Sequence, residues 1–82
     1  MYYVYVLKSE KDGNMYVGCT GDLRERVALH NAGQVKSTRD RRPFELVYYE
    51  ACRNQKDALR REKYLKTGVW EALPQEQTAG VP

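Results

Sequence analysis

Residues Tyr2 to Ser9 read Tyr-Tyr-Val-Tyr-Val-Leu-Lys-Ser, a run of aromatic and β-branched side chains that is apolar at almost every position on both faces. Such residues favour a pleated, buried surface, and a strand apolar on both sides belongs in the middle of a sheet with packing above and below it. In a chain of 82 residues that demand leaves one small layered domain and excludes a second. A mean hydropathy of −0.79 and the lack of a long apolar run exclude a membrane-spanning helix. The opening Met1-Tyr2-Tyr3-Val4-Tyr5 lacks the basic-then-apolar layout of a secretory leader, so the expected location is the cytoplasm.

The segments that follow supply the partners of that strand. Glu10-Lys11-Asp12-Gly13-Asn14 is a polar stretch whose Asp-Gly pair offers the positive φ of a tight turn, and Met15 to Thr20 reads as the second strand of a hairpin. Asp22, with Glu25 three residues on, resembles a capping box, and Gly33 stops the helix it opens, predicted over 23–32. Gln34 to Arg42 is a basic loop, closed by Pro43, which biases Arg42 toward extended backbone. Phe44 to Ala51 is a third β-rich segment; Asn54 caps a second helix predicted over Gln55 to Thr67, with Asp57 in its first turn and Gly68 past its end. The order β-β-α-β-α with short connections predicts an α+β fold: a small three-stranded, mostly antiparallel sheet flanked by helices. Residues 1–68 form this domain, and 69–82 are expected to hold a short packing turn at Val69 to Leu73, ahead of Pro74, and a flexible tail.

Two cysteines, Cys19 and Cys52, are too few for a disulfide scaffold and lack CxxC spacing, which predicts two reduced, partly buried thiols. The net charge of +3 is unevenly placed: residues 24–42 hold six basic and two acidic side chains. Arg24, Arg26, Lys36, Arg39, Arg41 and Arg42 therefore suit a phosphate-bearing partner, or simply decorate a solvated loop.

Sharper information comes from polar residues on faces that packing would fill with hydrophobes. Leu23, Arg26, Val27 and His30 follow the i, i+3, i+4, i+7 stripe of the first helix, and two of the four are polar. Arg26 either snorkels to the edge of the stripe or points at an anion, and His30 is either a satisfied boundary histidine or a participant in chemistry. On the second helix Ala58, Leu59 and Leu65 define an apolar stripe with Glu62 near its centre. A carboxylate there must be neutralised, paired, for instance with Arg61 or Lys66, or bound to a cation. Seven tyrosines against one phenylalanine mean that several phenols need buried partners. Alternation puts Tyr3, Tyr5 and Leu7 on one face of the first strand, and Tyr16 and Gly18 on one face of the second. Gly18 inside a strand implies a bulge or a close approach, by substrate or by a helix.

Tyr3-Val4-Tyr5, Tyr16-Val17-Gly18, the Leu-x-x-Arg-x-x-x-His-Asn helix and the Ala-Leu-x-x-Glu-x-x-Leu-Lys helix together resemble the GIY-YIG nuclease superfamily over residues 2–67. The His-Asn-x-Gly step and the basic loop before Leu-Val-Tyr-Tyr-Glu make the chain most similar to its small, standalone bacterial UPF0213-type members. The first motif has Tyr3 where the family name has Gly, and both motifs have Val for Ile. The resemblance implies a phosphodiester hydrolase of DNA that uses one divalent ion, Mg²⁺ or Mn²⁺, on Glu62. It implies Tyr16 as general base, Tyr5 positioning water and phosphate, Arg26 stabilising the transition state, and His30 orienting or exchanging protons. Because a free phenol titrates near 10, Tyr16 would need nearby cations or a neighbour such as His30 to accept its proton.

With no separate DNA-binding domain within 82 residues, the implied enzyme contacts phosphates rather than bases, through Arg24, Lys36, Arg39, Arg41 and Arg42. The resulting expectation is an endonuclease of low sequence specificity, acting on branched or damaged DNA in repair or recombination. Its rivals are a non-catalytic nucleic-acid-binding module of the same fold, and an interaction module that docks on a repair protein through the segment from Trp70 onward.

Overall fold

The apolar run at the amino terminus forms the middle strand of the sheet, as its two apolar faces require. The computed structural model describes residues 1–67: β1 (Tyr2–Ser9), β2 (Met15–Thr20), α1 (Leu23–Asn31), a 3₁₀ turn at Arg39–Arg41, β3 (Phe44–Cys52) and α2 (Gln55–Leu65). The turn expected at Val69 to Leu73, the stop at Gly68 and the tail lie outside the described residues. The strands lie in the order β2-β1-β3, and both pairings are antiparallel. This is the α+β, β-β-α-β-α architecture with β1 in the centre.

Local chemistry sets the boundaries. Gly13 adopts φ +73° in the hairpin turn and Gly33 φ +77° after α1, the two places where the chain needs left-handed backbone. The Asp22 carboxylate accepts from Glu25 N–H at 3.1 Å and the Asn54 side chain accepts from Asp57 N–H at 2.9 Å, so both predicted caps form. The second helix ends at Leu65 rather than Thr67. Its last turn tightens, with Thr67 N–H donating to Tyr64 C=O at 3.2 Å, and Thr67 Oγ1 donating to the same carbonyl at 2.7 Å. A bulge opposite Val6/Leu7 places Val47 and Tyr48 in succession on one face of β3.

The two faces bury different side chains. Against α2 lie Val4, Val6, Val17 and Tyr48, packed on Ala58 and Leu65, with Cys19 and Cys52 at the margin. Against Leu23 and Val27 of α1 lie Tyr5, Leu7 and Phe44, with Tyr3, Tyr16, Leu46 and Tyr49 around them. Both cysteines are free thiols, partly buried as predicted, and burial raises their pKa values above the usual thiol range. Leu59 does not belong to the apolar stripe of α2: it is 47% exposed. The sheet covers only a narrow arc of this helix, along Ala58, Glu62 and Leu65, and Leu59 falls a quarter-turn outside it. No described helix is long and apolar enough to cross a membrane.

Candidate active site

The site is built around a missing side chain. Tyr5 and Gly18 are direct cross-strand partners, and the Tyr5 phenol lies over the glycine: a Cβ at Gly18 would come within 2.5 Å of Tyr5 Cζ. The gap at Gly18 is therefore filled by Tyr5 itself, by neither a helix nor an open cleft. Buried to 1% exposure, the Tyr5 hydroxyl meets His30 Nε2 at 2.9 Å. His30, brought there by the buried stripe of α1, is fully enclosed rather than at a boundary, and its Nδ1 meets Thr38 Oγ1 at 2.7 Å. Thr38 Oγ1 in turn donates to Val35 C=O at 3.4 Å. The imidazole stands edge-to-face to the rings of Tyr5, Tyr16 and Phe44, with centroid separations of 5.8, 5.0 and 6.0 Å. Arg26, half-buried one turn before His30, lies close enough to the Tyr5 hydroxyl for its charge to act on the phenol.

Burial decides the ionisation of this cluster. It pushes Tyr5 up to about 12, against the opposing pull of Arg26, so the phenol keeps its proton at every physiological pH. Burial, reinforced by the Arg26 charge, pushes His30 down to about 4, so the imidazole is neutral. Both His30 nitrogens are engaged, by Tyr5 and Thr38, which leaves neither to receive a proton from Tyr16. Tyr16 is the phenol of the cluster that stays half-exposed. A cleft of about 180 Å³ lined by Thr20, Asp22, Glu25, Arg26 and Leu29 opens beside the guanidinium. A larger depression of about 690 Å³, lined by Lys8, Ser9, Glu10, Gly13 and Glu45, lies at the hairpin end and touches none of the cluster.

Glu62 comes from the helix on the other face. It is half-buried, and its Oε2 pairs with Lys66 Nζ at 3.0 Å; Arg61 is instead committed to Glu50 through two bonds of 2.8 and 3.2 Å. The carboxylate lies near enough to Tyr5 and Cys19 to add to the burial that raises both pKa values. Among the described residues no three His, Cys, Asp or Glu side chains converge as a metal cage. A lone carboxylate does fit Mg²⁺, which retains several waters and takes its other ligands from substrate oxygens.

The basic loop is fastened rather than free. Arg39 Nε donates to Gly33 C=O at 3.2 Å, and the Arg42 guanidinium packs over Gly33, so two cations meet the carboxyl end of α1. Arg41 pairs with Asp12 at 3.0 Å and lies over the Phe44 ring. Ser9 Oγ donates to Arg41 C=O at 2.5 Å while accepting from the amides of Lys11 and Asp12. Lys36 and Arg24 are exposed. Two contributors, Ser9 and Thr38, have no signature in the sequence, while Asn31 belongs to the His-Asn step quoted above and its carboxamide binds both Phe44 N–H and C=O at 2.6 and 3.2 Å. Thr38 sits in a Lys-Ser-Thr-Arg run that reads as solvated loop; only tertiary folding of that loop buries it.

The chain is similar to known proteins. A family model described as the GIY-YIG catalytic domain matches residues 1–69. A UPF0213 protein of Bacillus pumilus is 45% identical over 67 residues, covering 80% of this chain and 67% of that protein. A UPF0213 protein of Clostridium perfringens is 46% identical over 67 residues, covering 80% of this chain and 71% of its own length. Among solved structures, the solution NMR structure of a UPF0213 protein from Bacillus halodurans superposes with a TM-score of 0.57 at 33% identity, over 93% of this chain and 88% of the other.

Proposed function

The chain belongs to the GIY-YIG family, among its small UPF0213-type members, and from that premise we propose that it is a metal-dependent endonuclease cutting DNA with low sequence specificity. The observation that carries the reading is the half-buried Arg26, set close to the buried Tyr5 phenol on the face of the sheet that also carries the half-exposed Tyr16. A packed domain gains little from such an arrangement. A phosphoryl-transfer site needs a fixed cation where negative charge grows, next to a group that can take a proton.

In this reading the half-exposed Tyr16 first gives up its phenolic proton to solvent, and the phenolate takes the proton of the attacking water as the new P–O bond forms; the ester P–O bond breaks and the leaving oxygen takes a proton from bulk water. Arg26 faces the phosphate oxygens on which charge accumulates. Tyr5 and His30 act from beneath: Tyr5 holds the guanidinium, and His30 holds Tyr5. Glu62 would hold one Mg²⁺ or Mn²⁺, which when bound supplies Lewis acidity toward the phosphate. Arg24, Lys36, Arg39 and Arg42 supply phosphate contacts, while Arg41 contributes chiefly by fastening the loop to Asp12. Branched or damaged DNA met in repair or recombination is the substrate class such backbone reading suits.

The test is nicking of supercoiled, single-stranded and branched DNA with Mg²⁺ or Mn²⁺. Glu62→Gln and Tyr16→Phe are each expected to lower the rate at least about 10²–10³-fold while the fold persists. Cleavage that survives both substitutions belongs to a contaminant. The Glu62–Lys66 pair supports a second reading, a non-catalytic nucleic-acid-binding module. That reading predicts salt-dependent DNA binding that persists in EDTA and ignores Glu62→Gln, with no nicking on any substrate.

A further inference from the structure

We infer that Thr38 is a positioning residue, which ties the basic loop to Arg26 through His30 and Tyr5. Donor accounting leads there. The Tyr5 hydroxyl, at 1% exposure, has one proton to place, and the hydrogen-bond partner it meets is His30 Nε2 at 2.9 Å. Nε2 is then the bare nitrogen and Nδ1 carries the hydrogen, given to Thr38 Oγ1 at 2.7 Å. The threonine proton continues to Val35 C=O at 3.4 Å. Every donor is used once and all run in one direction. In the reverse arrangement Thr38 donates to Nδ1, Nε2–H donates to Tyr5, and the buried phenolic proton is left without the imidazole acceptor that it meets at 2.9 Å.

The direction matters for Arg26. With the phenolic proton committed inward, the Tyr5 oxygen presents a lone pair to the guanidinium and fixes where the cation points. Thr38 sits between Lys36 and Arg39, and the loop is pinned by Arg39 on Gly33 and Arg41 on Asp12. The segment that carries the cations therefore also sets the imidazole that aims the arginine. The role in cleavage rests on the nuclease reading; the hydrogen-bond chain does not.

His30 is the single histidine of the chain, so ¹⁵N-detected imidazole spectra report on it alone. At pH 7 the wild type and Thr38→Ser are expected to show protonated Nδ1 and bare Nε2, the less common form of a neutral histidine. Thr38→Val keeps the shape but removes the acceptor, and should move the ring toward the Nε2–H form. On supercoiled DNA with Mg²⁺, Thr38→Val should lower kcat about tenfold with KM unchanged, and Thr38→Ser should restore it. Protonated Nε2 in the wild type overturns the inference, as does a Thr38→Val protein with unchanged tautomer and kcat. If Thr38→Val does not fold, the wild-type tautomer decides. If the wild type cuts no DNA, the nuclease reading fails, and the tautomers of the three proteins still decide whether Thr38 sets the ring.

Discussion

The same three strands face α1 on one side and α2 on the other, and the two sides are held together differently. Toward α2 the contacts are mainly aliphatic: Val4, Val6, Val17, Ala58 and Leu65, all under a tenth exposed and needing no hydrogen bond among them, with Tyr48 as the buried phenol on that side. Toward α1 the equivalent depth holds Tyr5, His30 and Thr38, each of which would be costly to bury unpaired, joined into one chain of hydrogen bonds. An aliphatic face tolerates reshaping as long as volume is conserved, whereas a polar chain is fixed in direction because each proton has one place to go. The apolar side thus stabilises the sheet, and the polar side fixes the orientation of Arg26.

Separating the two sides by mutation is the strongest test of that contrast. Arg26→Ala should cut nicking by about 10³-fold, roughly 4 kcal/mol of transition-state stabilisation, with little change in the urea midpoint. Leu65→Ala should do the reverse: about 2–5 kcal/mol lost from unfolding, with the rate per folded molecule nearly unchanged. Equal loss of stability from both would erase the distinction.

Acid titration probes the polar side alone. The folded pKa of His30, about 4, lies below its ordinary 6.5, so the unfolded chain binds the proton first as pH falls. The associated stability is present above pH 6.5 and is lost on the way down through 4. Between those values the wild type should lose roughly 2–3 kcal/mol more than His30→Gln, measured by urea unfolding at each pH. Identical pH slopes for the two proteins would mean that the imidazole is not kept neutral by burial.

Gly18→Ala should cost about 1–3 kcal/mol, because the new methyl group meets the Tyr5 ring rather than open space. It should also disturb the His30 spectrum, which Gly13→Ala in the open hairpin turn should leave alone. The smallest effect belongs to the surface clasp between Arg41 and Asp12. Asp12→Asn should change the thermal midpoint only slightly, and the difference should vanish at high salt.

Much of the fold was legible because it is written in local chemistry. Asp22 and Asn54 announce helix starts, Gly13 and Gly33 announce turns, and the two-sided apolar run of β1 announces the centre of the sheet. The candidate site stood out for the opposite reason: Arg26, His30 and Glu62 interrupt apolar patterns where packing alone would not place them. What escaped was tertiary. The exposure of Leu59 depends on how wide an arc of α2 the sheet covers, and the burial of Thr38 depends on where a polar loop folds back. Likewise, the space at Gly18 has the look of a cleft until the register of β1 and β2 brings the Tyr5 phenol across it.

Asn31 carries one more consequence. Among the described residues β3 is an edge strand, and a strand edge offers unpaired amides and carbonyls to any passing chain. At Phe44 both backbone groups are already taken by the Asn31 carboxamide, which serves there as a one-residue substitute for a fourth strand. The side chain next to His30 thereby occupies the two edge groups that an added strand would need, and Asn31→Ala is expected to raise light scattering during refolding above that of the wild type.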